Sequence, residues 1–150
     1  MRRYQTLVAT CVLAVVSACA SGPPQKLETD DPRPCAKNFT YSGFPMLGQT
    51  FKTNQFVGGV TKHVAVERAS KRVIKEGMTL ATLDKEAGII SAFSSVSGGR
   101  GETVALAVTV ESAKNGVNIE VSISTSLGQV TSADSLKDFF CGILSAAAGK

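Results

Sequence analysis

Two stretches in the second half of the chain alternate apolar and polar positions with a period of two. From Glu102 to Glu111, Val104, Leu106, Val108 and Val110 fall on one side and Thr103, Ala105, Ala107 and Thr109 on the other. From Val117 to Thr125, Val117, Ile119, Val121 and Ile123 alternate in the same way with Asn118, Glu120, Ser122 and Ser124. Successive side chains of a strand point to opposite faces, so each stretch predicts a strand with one face on an apolar core and the other toward water or a partner. Asn115-Gly116 marks a tight turn between them. Met78 to Leu83 and Ile89 to Phe93 predict two further strands, joined as a hairpin through Asp84-Lys85-Glu86-Ala87-Gly88.

Helical periodicity brackets these strands. Val66, Ala69, Val73 and Ile74 form an apolar stripe in a segment that Thr61 is placed to cap and that runs to about Glu76, where Gly77 stops it. Leu136, Phe139, Phe140, Ile143 and Leu144 form a second stripe from Ala133 to Ala147, behind the capping signal Thr131-Ser132-Ala133-Asp134. The aromatic-rich stretch with Phe39, Tyr41, Phe44, Phe51 and Phe56 reads as a loop that ends at Gly58-Gly59. The expected fold is α+β: a four-stranded antiparallel meander with two helices packed on one face, in a domain spanning 35–150.

Composition changes the picture mainly at the start of the chain. The 150 residues are 43% hydrophobic and lack Trp, which fits one globular domain. Arg2 and Arg3 head an apolar run from Leu7 to Val16 that ends in small residues, the build of a cleavable export signal over 1–18. The run is too short for a spanning helix, which needs about 20 apolar residues. Without Arg2 and Arg3 the 16 basic residues become 14 against 12 acidic, a net charge of +2, which gives no support to nucleic-acid binding. From Ala20 to Pro34, Pro23, Pro24, Pro32 and Pro34 stand among Glu28, Asp30 and Asp31, so 19–34 reads as an extended tether. Fifteen such residues would reach roughly 45 Å.

Val16-Ser17-Ala18-Cys19 resembles the lipobox of bacterial lipoproteins, a likeness confined to the first nineteen residues. The resemblance implies that the Cys19 thiol receives a diacylglyceryl group, that cleavage precedes Cys19, and that the new amino terminus is acylated. Ala20 in place of an Asp implies the outer membrane. Several acyl chains, each worth about 0.8 kcal/mol per buried methylene, make a lasting anchor where one is marginal. Two other export readings remain open: cleavage after Ala20 as a small-x-small site, releasing a soluble protein from Ser21, and a twin-arginine route through Arg2-Arg3, which Tyr4-Gln5-Thr6 does not fit.

With Cys11 in the signal and Cys19 assigned to lipid, Cys35 and Cys141 are left, and an exported chain with two such cysteines suggests a disulfide. Two free buried thiols are the alternative. No metal is expected, because His63 is the sole histidine and no CxxC or HxxxH spacing exists.

Candidates for chemistry are few. His63 falls in a first helical turn, where exposure is the ordinary outcome. Asp84, Glu86 and Glu102 converge at one end of the expected sheet as a carboxylate group, or simply form a polar turn and a strand start. Gly98-Gly99-Arg100-Gly101 suggests an anion nest but lacks a following helix, so a flexible hairpin loop fits it better. Arg68, Lys71, Arg72 and Lys75 form a positive cluster suited to anionic headgroups or, with Glu67 and Glu76 interspersed, to a solvated face.

The expected function is a lipid-anchored, non-catalytic envelope protein that binds or scaffolds another envelope component, needing no cofactor. The alternatives are a carrier of a lipid or apolar ligand in a cavity lined by Leu106, Val121 and Phe140, and an envelope hydrolase. In architecture the domain resembles the small α+β domains of envelope lipoproteins. Globomycin treatment or Cys19→Ala is expected to block cleavage and leave a longer precursor that keeps its apolar signal; unchanged processing and membrane fractionation would refute the lipobox reading.

Overall fold

The computed structural model describes residues 23–45, 47–95, 103–129 and 131–150. In chain order the elements are β1 (Gln25–Lys26), α1 (Pro34–Lys37), β2 (Thr40–Phe44), β3 (Gly48–Gly58), α2 (Lys62–Lys75), β4 (Thr79–Asp84), β5 (Ile89–Ser95), β6 (Thr103–Ala113), β7 (Gly116–Ser124) and α3 (Ala133–Ala147). All seven strands join one antiparallel sheet in the order β1-β2-β3-β7-β6-β5-β4.

The class is α+β, as expected, but the four-stranded sheet is corrected to seven strands with a third, short helix. The expected meander survives as β4 to β7. The aromatic stretch, expected as a loop, forms the hairpin β2–β3, and β3 pairs with β7 along nine residues from Thr50 to Gly58. Alternation is present there too. Phe51, Thr53 and Val57 face inward while Lys52, Asn54 and Phe56 face out. Its polar inward Thr53 and Gln55, and an aromatic on the outer side, disguise the period.

Connection and register follow from burial. β3 and β4 lie at separated places in the sheet and run in the same direction, so α2 crosses beneath β7, β6 and β5 to join them. The inward rows Leu106, Val108, Val110 and Val117, Ile119, Val121, Ile123 are almost fully buried under α2 and α3. Each such side chain contributes roughly 1.5–3 kcal/mol by leaving water. α2 supplies Ala65, Val66, Ala69 and Val73 to this core, and α3 supplies Phe140, Ile143, Leu144 and Ala147. The helices run antiparallel: the Arg72 side chain lies over Gly142 and the Arg68 side chain over Gly149. Thr61 and Ser132 occupy the two N-cap positions, although neither side chain makes a capping hydrogen bond.

At the β6–β7 turn, Asn115 takes the positive φ of 64°. Gly116 is required for a different reason. A Cβ there would fall 2.2 Å from the Val57 carbonyl oxygen, so its absence admits the end of β3.

Cys35 of α1 and Cys141 of α3 form a disulfide, with Cα atoms 5.5 Å apart and a separation of 106 positions in sequence. It closes almost the whole domain into a loop. The chain-entropy model gives about 4.7 kcal/mol for a loop near 100 residues, an upper figure. Cys141→Ser should therefore lower unfolding stability by roughly 2–4 kcal/mol in urea titrations. An unchanged urea midpoint in the variant would show that the bond adds nothing.

Candidate functional site

Cys19 lies outside the described residues, so the geometry that bears on an anchor is that of the chain entering the domain. Leu27 donates its backbone N–H to the Phe39 carbonyl at 3.1 Å and packs its side chain against the core. β1 is paired to β2 just before it. Arg33 then bridges two carboxylates, taking Asp31 through Nε at 2.9 Å to each oxygen and reaching Asp138 of α3 through its terminal nitrogen. From Gln25 onward the expected tether is thus fastened to the domain, and residues 20–24 separate Cys19 from the first paired position. Hydrogen bonds from the Arg33 side chain and backbone, above all the former, bring the Asp31 carboxyl from 3.8 down to about 2.

The other expected site residues are only partly brought together. His63 Nδ1 lies 3.9 Å from Glu86 Oε1, with both side chains largely in water. Asp84 uses Oδ1 to accept the N–H groups of Glu86 and Ala87 at 3.0 and 2.8 Å, which makes it the brace of the β4–β5 turn. Glu102 and the segment from Gly98 to Gly101 lie outside the described residues. Among the described residues no group of three or more His, Cys, Asp or Glu side chains is placed to hold a metal, and no helix is long and apolar enough to cross a membrane.

The positive cluster is a real surface feature. Arg68, Lys71, Arg72 and Lys75 line an open cleft whose other wall is Ala146, Gly149 and Lys150. Lys71 meets Glu67 at 2.7 Å and Arg72 meets Glu76 at 2.5 Å, both four residues away on the same helix, while Arg72 Nε is buried without a partner. Exposed pairs of this kind add little stability and keep a helix face solvated. The residues named for an apolar cavity do not line one of the described surface clefts. Leu106, Val121 and Phe140 are 0–1% exposed, and Phe140 packs on Phe39 with ring centres 5.6 Å apart.

The open sheet face, expected from the alternation, is wider than the four-stranded reading implied because β2 and β3 extend it. Both long helices lie on the other side, so this face spans β2 to β4 in the open. One cross-strand row reads Ser42, Thr50, Ser124, Ala105, Phe93 and Thr79, and the next Thr40, Lys52, Ser122, Ala107, Ser91 and Thr82. Lys52 is the one charge in those two rows and is paired with Glu120 at 3.1 Å. Phe93 stands exposed within this zone, and Phe56 and Ile89 stand exposed in the adjoining rows. The adjoining rows of the same face carry Asp84 and Glu120 in line with Ile89, and Glu111 in line with Phe56, so the charge-poor zone is confined to the two rows through Thr50 and Lys52.

No family model matches the chain, and no curated protein is similar to it. Among solved structures, one titled "Crystal structure of Ara h 8.0201" is similar in fold, with a TM-score of 0.50 at 14% identity, covering 68% of this chain and 96% of that one.

The Arg33 clamp makes a pH-dependent prediction. Because the folded state lowers the Asp31 pKa, its contribution is present above 3.8 and is lost as pH falls through about 2. Asp31→Asn should therefore be less stable than the parent at neutral pH, with the gap in thermal midpoint closing toward pH 2. A gap that stays constant across this window would remove the clamp.

Proposed function

We propose that the chain is a lipid-anchored protein of the bacterial cell envelope, attached to the outer membrane through Cys19, whose uncovered sheet face binds another envelope component. The observation that carries the binding half is the one-sided burial of the sheet, which leaves open a face whose two rows through Thr50 and Lys52 hold a single charge and the exposed Phe93. The anchoring half is supported by the lipobox-like Val16-Ser17-Ala18-Cys19 and by the shortness of the chain between Cys19 and β1. The domain acts as a held surface, without a reaction of its own: Asp84 braces a turn, Glu67 and Glu76 pair with cations of their own helix, and His63 stands largely in water.

The small side chains suit a partner that lies close to the sheet. Ala105, Ala107 and Thr109 rise little above the backbone, so a flat or extended surface approaches without displacing long side chains. Binding at this face predicts that a photo-reactive residue at Ala107 captures a discrete envelope component in intact cells, whereas one at Ser145 on the outer side of α3 does not. Equal capture from both positions, or none at Ala107, would refute this assignment.

A further inference from the structure

Two charge-free runs of sequence meet at one end of the sheet. No Asp, Glu, Lys or Arg occurs between Asn38 and Phe51 or between Val121 and Ala133, in a chain that is 19% charged. The first run holds the β2–β3 turn and the second the segment after β7, and the fold ties the two tips together. Gln49 N–H donates to Thr125 Oγ1 at 2.9 Å, and Thr125 N–H donates to the Gln49 carbonyl at 2.8 Å. At Gly48, with φ +102°, a Cβ would come 2.8 Å from the Thr125 carbonyl oxygen, so glycine lets one tip lie directly on the other. The resulting platform points apolar side chains into solvent: Phe44 is 56% exposed, Leu47 70% and Leu127 66%. Turn tips are ordinarily polar. A joined pair of tips that is apolar and uncharged is suited to entering an apolar phase.

Chain direction identifies that phase. β1 runs antiparallel to β2, with Lys26 opposite Thr40 and Gln25 opposite Tyr41, so the chain before Gln25 leads toward the Phe44 end. Cys19 stands four residues before Pro23, and four residues fully extended span at most about 14 Å. β3 is 11 residues long, or about 36 Å at the usual rise. A lipid on Cys19 can therefore bring the bilayer to the Phe44 end and cannot bring it to the far end, where α2 begins.

We propose that the end of the sheet carrying Phe44, Leu47 and Leu127 seats in the interfacial layer of the bilayer that holds the Cys19 acyl chains. The proposal rests on the lipid anchoring proposed above. The domain then stands end-on, with its strands steep to the membrane and its uncovered face turned sideways, accessible to a neighbour in the same membrane. Acyl chains and apolar tips act together, each shortening the search of the other for the surface.

The chain contains no Trp, so an introduced one reports alone. The lipidated protein is reconstituted into vesicles of phosphatidylethanolamine and phosphatidylglycerol as Leu47→Trp, Leu127→Trp and, in the first turn of α2, Val64→Trp. Emission and quenching by tail-brominated phosphatidylcholine are then read, with the lipid on Cys19 verified by intact mass. The expected result is a blue shift and loss of intensity at Leu47→Trp and Leu127→Trp, with Val64→Trp unaffected. Red, unquenched emission at all three positions on a lipidated chain overturns the proposal while leaving the anchor in place. A blue shift without quenching means that a second copy covers the tips, and overturns it as well. An intact mass without lipid overturns the anchoring reading and this proposal with it.

Discussion

Everything else in the molecule depends on burying one face of the sheet beneath two antiparallel helices. The inward rows of β6 and β7 are continuous apolar ladders, and a slip of one residue would carry Glu111 and Glu120 into the core and Leu106 and Ile119 into water. That penalty sets the register of the central pair. β3 adopts the same register through Phe51 and Val57, and its one buried hydroxyl, Thr53, is satisfied by the Cys35 carbonyl at 2.5 Å. Because both helices are committed to one side, the opposite face is free of cover, and its chemistry is independent of folding.

The same packing determines how the chain enters the domain. α1 is bound to α3 by the disulfide and by Arg33, and to β3 by Asn38, which donates to the Asn54 carbonyl at 2.9 Å. The segment ahead of it is drawn along β2 and leaves the domain beside the β2–β3 turn. An attachment point a few residues upstream thus constrains orientation as well as distance. If the chain is held at Cys19, the five residues 20–24 would leave the domain far less freedom to tumble than a tether of fifteen.

Much of the architecture is legible in the sequence where patterning is strict. The alternation of Val104 to Val110 and of Val117 to Ile123, and the stripes ending in Ile74 and Leu144, lie on strands and helices close to their expected bounds, although Ile74 itself is exposed. The pairing of Cys35 with Cys141 is legible from simple elimination. The β2–β3 hairpin is not, because Thr53 and Gln55 occupy inward positions and Phe56 an outward one, so the stretch resembles a loop rich in aromatics. The open face is legible as the polar side of the alternating strands, but its make-up as a surface is not, because which residues adjoin depends on cross-strand neighbours distant in sequence, such as Lys52 beside Ser122. The apolar tips leave a signal in the two charge-free runs, but nothing local says that the runs meet.

Under the proposed anchoring, the arrangement would take its meaning from the modification of a single side chain. If Cys19 is the first residue of the mature protein and carries acyl chains, the short entry segment, the apolar end and the sideways face form one device for presenting a surface beside a membrane. Mass spectrometry of the amino-terminal peptide from the purified membrane fraction tests this most directly. The prediction is a peptide beginning at Cys19 with a diacylglyceryl thioether and an acylated amino group. A mature protein beginning at Ser21, unmodified and recovered in the soluble fraction, would contradict it.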